Sequence, residues 1–124
     1  MDRKVLLIDD DPIANMINRE LFEIRGYVVN AYTNPKEALE YLESANSSLG
    51  DIPDIIMLDI NMPEMDGWGF LDEYQKIEFA SNNNCRLFML TSSIASEDKE
   101  KAFTYSSVKG FISKPLTMEW VQNL

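Results

Sequence analysis

Residues 4–12 read KVLLIDDDP: a run of apolar side chains that stops on three carboxylates and a proline. An apolar stretch without polar alternation reads as a strand buried on both faces, the habit of parallel sheets. The strand is expected over 4–9. Proline is well suited to the first position of a helix, where its missing N–H would have no partner. Asp11-Pro12 therefore reads as a helix start with Asp11 as its cap. Strand, acids and helix make the opening of a βα unit.

The unit repeats. Ile13, Met16, Ile17, Leu21 and Ile24 follow with helical spacing, and Gly26 stands where a C′ glycine ends a helix. YVVNAY (27–32) reads as a second strand. Asn34-Pro35-Lys36-Glu37 is a capping pattern, and Ala38, Leu39 and Leu42 give the helix after it an apolar face. DIIMLD (54–59) is a third strand, again ending in an acid. NMPEMDG is a turn, with a helix from near Asp66 that buries Phe70, Leu71, Tyr74 and Ile77. RLFMLT (86–91) is a fourth strand, followed by a short helix capped by Ser96 and reaching about Tyr105. GFIS (110–113) is a fifth strand, and Thr117 caps a short last helix. SANSSLGDIP and SNNNC are loops by composition.

Five βα units predict an α/β fold: a flavodoxin-like, doubly wound, five-stranded parallel sheet of order 2-1-3-4-5. One domain over 1–124 is expected. The crevice of such a sheet lies at the carboxyl ends of strands 1 and 3. The residues delivered there are Asp9, Asp10 and Asp11 from strand 1, Asp59 from strand 3, Thr91 from strand 4, and Ser113-Lys114 from strand 5. Strand 2, at the expected edge, ends in Tyr32-Thr33 with no charge. Carboxylates crowded at one rim need a counter-charge to stay ionised. Hard oxygen donors suit Mg²⁺, and a lysine and a hydroxyl beside them suit phosphoryl transfer to an aspartate.

Composition narrows the classes. The 124 residues carry a formal net charge of −10, with 45% apolar and 26% charged side chains, as a globular domain does. That charge, with no run of Lys or Arg, argues against direct binding to nucleic acid or anionic membranes. The absence of histidine excludes an imidazole supplied by this chain. The single cysteine, Cys85, rules out an intrachain disulfide. The apolar run after Lys4 is too short for a signal peptide, and nothing approaches the roughly 20 apolar residues of a membrane span. A soluble cytoplasmic protein is expected.

VLLIDDDP, IIMLDINMPEMDG, FMLTSS and GFISKP together resemble the receiver domain of two-component response regulators, over about residues 4–120. The resemblance implies that Asp59 is the phosphoacceptor. It implies that Asp10 binds Mg²⁺ directly, Asp9 mostly through water, and Asn61 through its backbone carbonyl. Thr91 and Lys114 would contact the phosphoryl group, and Thr91 with Phe111 would form the switch. The donor would be a sensor histidine kinase or histidine phosphotransfer protein, and the output a protein target met through the face of helix 4, strand 5 and helix 5. Asn61 and Ser93 would either tune dephosphorylation or be plain loop residues. A cis bond is expected before Pro115, as in the family.

Other residues have plainer roles. Met57 and Met89 are expected in the core, Cys85 as an idle thiol, and Trp120 in the core or on a partner-binding face. Two alternatives stand beside the receiver. One is a receiver-like surface that works without phosphate. The other is a phosphatase of the haloacid-dehalogenase type using Asp9 and Asp11, which leaves LDINMPEMDG unexplained and lacks a cap domain. No enzymatic turnover is expected beyond phosphoryl uptake and slow self-hydrolysis. The short last helix suggests a receiver trimmed from a longer protein, and the initial Met suggests a natural start; a stand-alone regulator remains open.

Overall fold

Among the described residues strands and helices alternate: β1 (Lys4–Ile8), α1 (Pro12–Ile24), β2 (Val28–Tyr32), α2 (Pro35–Ala45), β3 (Ile55–Asp59), α3 (Gly67–Tyr74), β4 (Arg86–Thr91), α4 (Ser96–Ala102), β5 (Val108–Ser113) and α5 (Met118–Gln122). This is a computed structural model, and it describes residues 3–45, 52–62, 65–77, 85–92 and 96–124. All strand pairs are parallel, in the order β2-β1-β3-β4-β5. The flavodoxin-like expectation is met.

Successive strand residues point to opposite faces, so the apolar runs feed two cores. Leu6, Ile8, Ile56, Leu58, Leu87 and Met89 pack with Leu42 of α2 and with Phe70, Leu71 and Tyr74 of α3. Val5, Leu7, Ile55, Met57 and Leu90 pack on the other face with Phe22 of α1 and Val121 of α5. Burying each such side chain contributes about 1.5–3 kcal/mol. Met57 and Met89 are core residues, as expected. Among the described residues no helix is long and apolar enough to cross a membrane.

The caps expected at Asp11, Asn34 and Thr117 form, Asp66 caps α3, and Ser96 lies within α4 where a cap was expected. Asp11 accepts from the Ile13 N–H and Asp66 from the Gly69 N–H, both at 2.9 Å. Asn34 accepts from Lys36 N–H, and Thr117 from Trp120 N–H. Gly26 follows α1 with φ +85°, a conformation L side chains rarely adopt.

Strands β1, β2 and β3 are each one residue shorter than expected, and two elements differ by more. Strand β5 starts earlier, at Val108, because Val108 pairs with Leu87 across an irregularity in the β4–β5 register. Gly110 tolerates this close passage; a Cβ there would lie 2.7 Å from the Phe88 ring. Helix α4 ends at Ala102 and includes Ser96 in its first turn. Beyond Ala102 the chain tightens into i→i−3 bonds, Thr104 N–H to Lys101 O and Tyr105 N–H to Ala102 O.

The facing of α1 runs against the usual pattern. An apolar stripe at helical spacing ordinarily marks the core side. Here Ile13, Met16, Ile17 and Ile24 are 61%, 58%, 53% and 71% exposed, while Asn15, Asn18 and Phe22 point inward. The helix is turned nearly inside out at its N-terminal end, beside the β1–α1 loop.

Candidate functional site

The acids converge because β1 and β3 are neighbours. Ile8 pairs with Leu58, so Asp9 and Asp59 leave adjacent strands at the same level. Carboxylate oxygens of Asp9, Asp10 and Asp59 lie within 4.8 Å of one another. Asp9 and Asp59 are buried, whereas Asp10 faces solvent. Lys114, first residue past β5, reaches back over the sheet edge. Its Nζ is 2.9 Å from Asp9 Oδ2 and 3.4 Å from Asp59 Oδ1.

Asp9 is held on both oxygens, since Oδ1 accepts from the Asp11 N–H at 2.9 Å. Asp59 Oδ1 also takes a long bond, 3.4 Å, from the Asn61 N–H. Thr91 ends β4 fully buried, and its carbonyl accepts from the Lys114 N–H at 2.7 Å. The bond between Lys114 and Pro115 is cis, as expected. Phe111 lies opposite Met89 in the β4–β5 register and is half-buried against the core. Asp11 is not part of the cluster: its carboxylate is turned to the helix cap. Ser93 lies outside the described residues.

Burial first, and then the Asp9 charge, push Asp59 up to about 6 against the opposing pull of Lys114. Burial acts to lower the Lys114 ammonium, but its hydrogen bond to Asp9 and the charges of Asp9 and Asp59 outweigh that and hold it above its ordinary value. The donor set fits a hard divalent cation. It is all carboxylate oxygen, it carries surplus negative charge, and its exposed member leaves room for metal-bound water.

Gly67 closes the loop behind Asp59, its N–H donating to Ile60 O at 2.8 Å. A Cβ on Gly67 would stand 2.9 Å from Ile60 Cα and 3.0 Å from Asp59 O, both backbone atoms that cannot step aside. Gly67→Ala is expected to lower unfolding free energy by about 2 kcal/mol. Urea denaturation reads this directly, and an unchanged midpoint would contradict the tight packing.

Some contacts here were not foreseen. Asn15, on the inward face of α1, donates its side-chain amide to the carbonyls of Asp9 and Tyr32. Its only signal in the sequence is a polar residue at helical spacing with Asn18. Trp68 stacks on Tyr105 with ring centroids 6.2 Å apart, under Lys101 Nζ at 4.7 Å. Tyr105 donates to Asp72 at 2.9 Å, so α3 is tied to the chain just beyond α4. Trp120 is partly buried, edge-on to Phe88. Burial pushes the Cys85 thiol up to about 11, which suits an unreactive core residue.

A family model described as "Response regulator receiver domain" matches residues 5–123. The chain is 32% identical over 120 residues to the sensor histidine kinase CheAY of Helicobacter pylori, covering 97% of this chain but only 14% of that protein. It is 28% identical to the chemotaxis protein CheY of Halobacterium salinarum, covering 93% of this chain and 87% of that one. In three dimensions it resembles a two-component response regulator from Cytophaga hutchinsonii, with TM-score 0.88, 32% identity and coverage of 98% and 92% of the two chains.

Proposed function

Since the chain belongs to the response regulator receiver domain family, we propose that it accepts a phosphoryl group on Asp59 from a phosphohistidine of a partner protein and relays the signal by protein contact. The observation that carries this reading is the convergence of Asp9, Asp10 and Asp59 under the Lys114 ammonium. A carboxylate oxygen of Asp59 attacks phosphorus in line. The O–P bond forms as the P–N bond to the donor imidazole breaks, and that imidazole takes up a proton.

Asp10, solvent-facing, would hold Mg²⁺ directly together with Asp59 and the Asn61 carbonyl. Asp9, with both oxygens already accepting, would act on the ion through water. Bound Mg²⁺ would supply positive charge against the phosphoryl oxygens. Lys114 pairs with the same group, which draws it partly away from Asp9. Thr91 offers a hydroxyl, and movement of Thr91 toward the phosphoryl group makes room for Phe111 to turn inward and reshape the face of α4, β5 and α5. We place the protein in the cytoplasm, with a sensor histidine kinase or histidine phosphotransfer protein upstream and a protein target downstream. The acidic surface disfavours nucleic acid and anionic membranes.

The exposed face of α1 fits this partnership. With no histidine in the chain, the donor must dock beside the acid cluster. Ile13, Met16 and Ile17 lie within two turns of Asp10 and offer the apolar contact such docking needs. Ile17→Asp should slow transfer from a phosphohistidine protein at least tenfold while leaving labelling by a small acyl phosphate unchanged. Equal slowing of both would show that the change damages the site and not the docking.

The reading itself is tested by mass spectrometry after incubation with an acyl phosphate and Mg²⁺. One phosphoryl group is expected, labile to hydroxylamine and mapped to the peptide containing Asp59. Labelling elsewhere, or none, would overturn it.

A further inference from the structure

Asn15 is buried at 5% exposure, on a helix whose exposed side is apolar. Its Nδ2 lies 3.0 Å from Asp9 O and 3.2 Å from Tyr32 O. Its backbone N–H donates to Asp11 O at 3.1 Å. One residue thus bonds to the main chain on both sides of Asp10. Tyr32 O also accepts from the Asp9 N–H at 3.2 Å, so the ends of β1 and β2 and the first turn of α1 are joined at one point.

The amide orientation is fixed by its neighbours. Two carbonyl oxygens face it, and only the NH₂ end can satisfy them. The Oδ1 atom is buried without a partner. A buried acceptor left unsatisfied is unfavourable, so an apolar side chain would serve better if packing were the whole role. The donor end accounts for an asparagine at this place. Asn18, one turn on, is also buried, and among the described residues it has no hydrogen bond to the acid loop like those of Asn15.

We infer that Asn15 is a positioning residue for the metal site: its side-chain amide ties the Asp9 carbonyl to that of Tyr32, above the helix bond that any residue at 15 would make to Asp11, and so presents Asp9 and Asp10 in a fixed array. The inference rests on the reading that Asp9, Asp10 and Asp59 hold a divalent cation. Asn15 itself touches neither the cation nor the phosphoryl group. Groups that act through a ligand in this way commonly alter metal affinity by 10–100-fold when lost.

The test compares Asn15→Leu, which keeps the branched shape and removes the donor, with Asn18→Leu as a control on the same buried face. Mg²⁺ dissociation constants come from calorimetry, and amide exchange of Asp11 is read by NMR in the metal-free protein. Asn15→Leu should weaken Mg²⁺ about tenfold and speed Asp11 exchange about as much. Asn18→Leu should leave both within about twofold. If Asn15→Leu does not fold, Asn15→Ala replaces it with the same expectations. Mg²⁺ affinity within about twofold of wild type in the Asn15 variant, or equal losses in both variants, would overturn the inference and leave the phosphoacceptor reading intact. A wild-type protein that binds no Mg²⁺ would overturn the site reading instead; Asp11 exchange would then decide the positioning role, unchanged exchange in Asn15→Leu counting against it.

Discussion

Asp59→Asn is expected to abolish phosphoryl incorporation from an acyl phosphate and Mg²⁺, and at the same time to make the metal-free protein harder to unfold at pH 7.5. The first effect follows from loss of the proposed nucleophile. The second follows from electrostatics. Burial and the Asp9 charge push the Asp59 carboxyl up to about 6 from its ordinary 3.8. Between those values the folded state binds more protons than the unfolded chain. Stability is therefore favoured below pH 3.8 and lost as pH rises through about 6. The difference is worth about 3 kcal/mol at 1.36 kcal/mol per unit. Asparagine carries no proton to lose, so the advantage of the variant grows through that window and vanishes below about pH 4. The lost contact with Lys114 at 3.4 Å subtracts from it. Urea titrations of both proteins at pH 4 and 7.5 check the sign. A variant less stable at pH 7.5 would mean that Asp59 is net stabilised by Lys114.

Asp10→Ala should weaken Mg²⁺ at least tenfold, about 1.4 kcal/mol of binding free energy, and slow phosphorylation in step at limiting Mg²⁺. Asp10 is exposed, so its loss should cost little fold stability. Asp11→Ala should do the reverse. Its carboxylate receives the Ile13 N–H at 2.9 Å, and removing that cap should lower stability by about 1 kcal/mol with Mg²⁺ affinity nearly unchanged. Calorimetry and denaturation on the two variants separate the roles. Equal loss of Mg²⁺ affinity from both would place Asp11 in the metal site after all.

The strands and caps were legible because their causes are local. An unbroken apolar run has few options other than a buried strand, and Asp11, Asn34, Asp66 and Thr117 each satisfy an N–H two or three residues on. The shorter α4 and earlier β5 were not legible. The earlier β5 depends on Leu87 pairing with Val108, a contact across the sheet that no local pattern encodes.

Helix α1 separates the two kinds of information most clearly. Its period and both ends are local matters, and they read correctly. Which side faces in is not local. Asn15 can be buried only because the carbonyls of Asp9 and Tyr32 meet beneath it, and they meet only once β1 and β2 lie side by side. The same holds for the acids. The sequence determined which carboxylates end strands and that those strands form one parallel sheet. Only the tertiary structure brought Asp59 against Asp9 and Lys114, because the Asp9 charge that helps raise the Asp59 carboxyl lies fifty positions away and the burial comes with the packing of β3 between β1 and β4, both delivered by strand order.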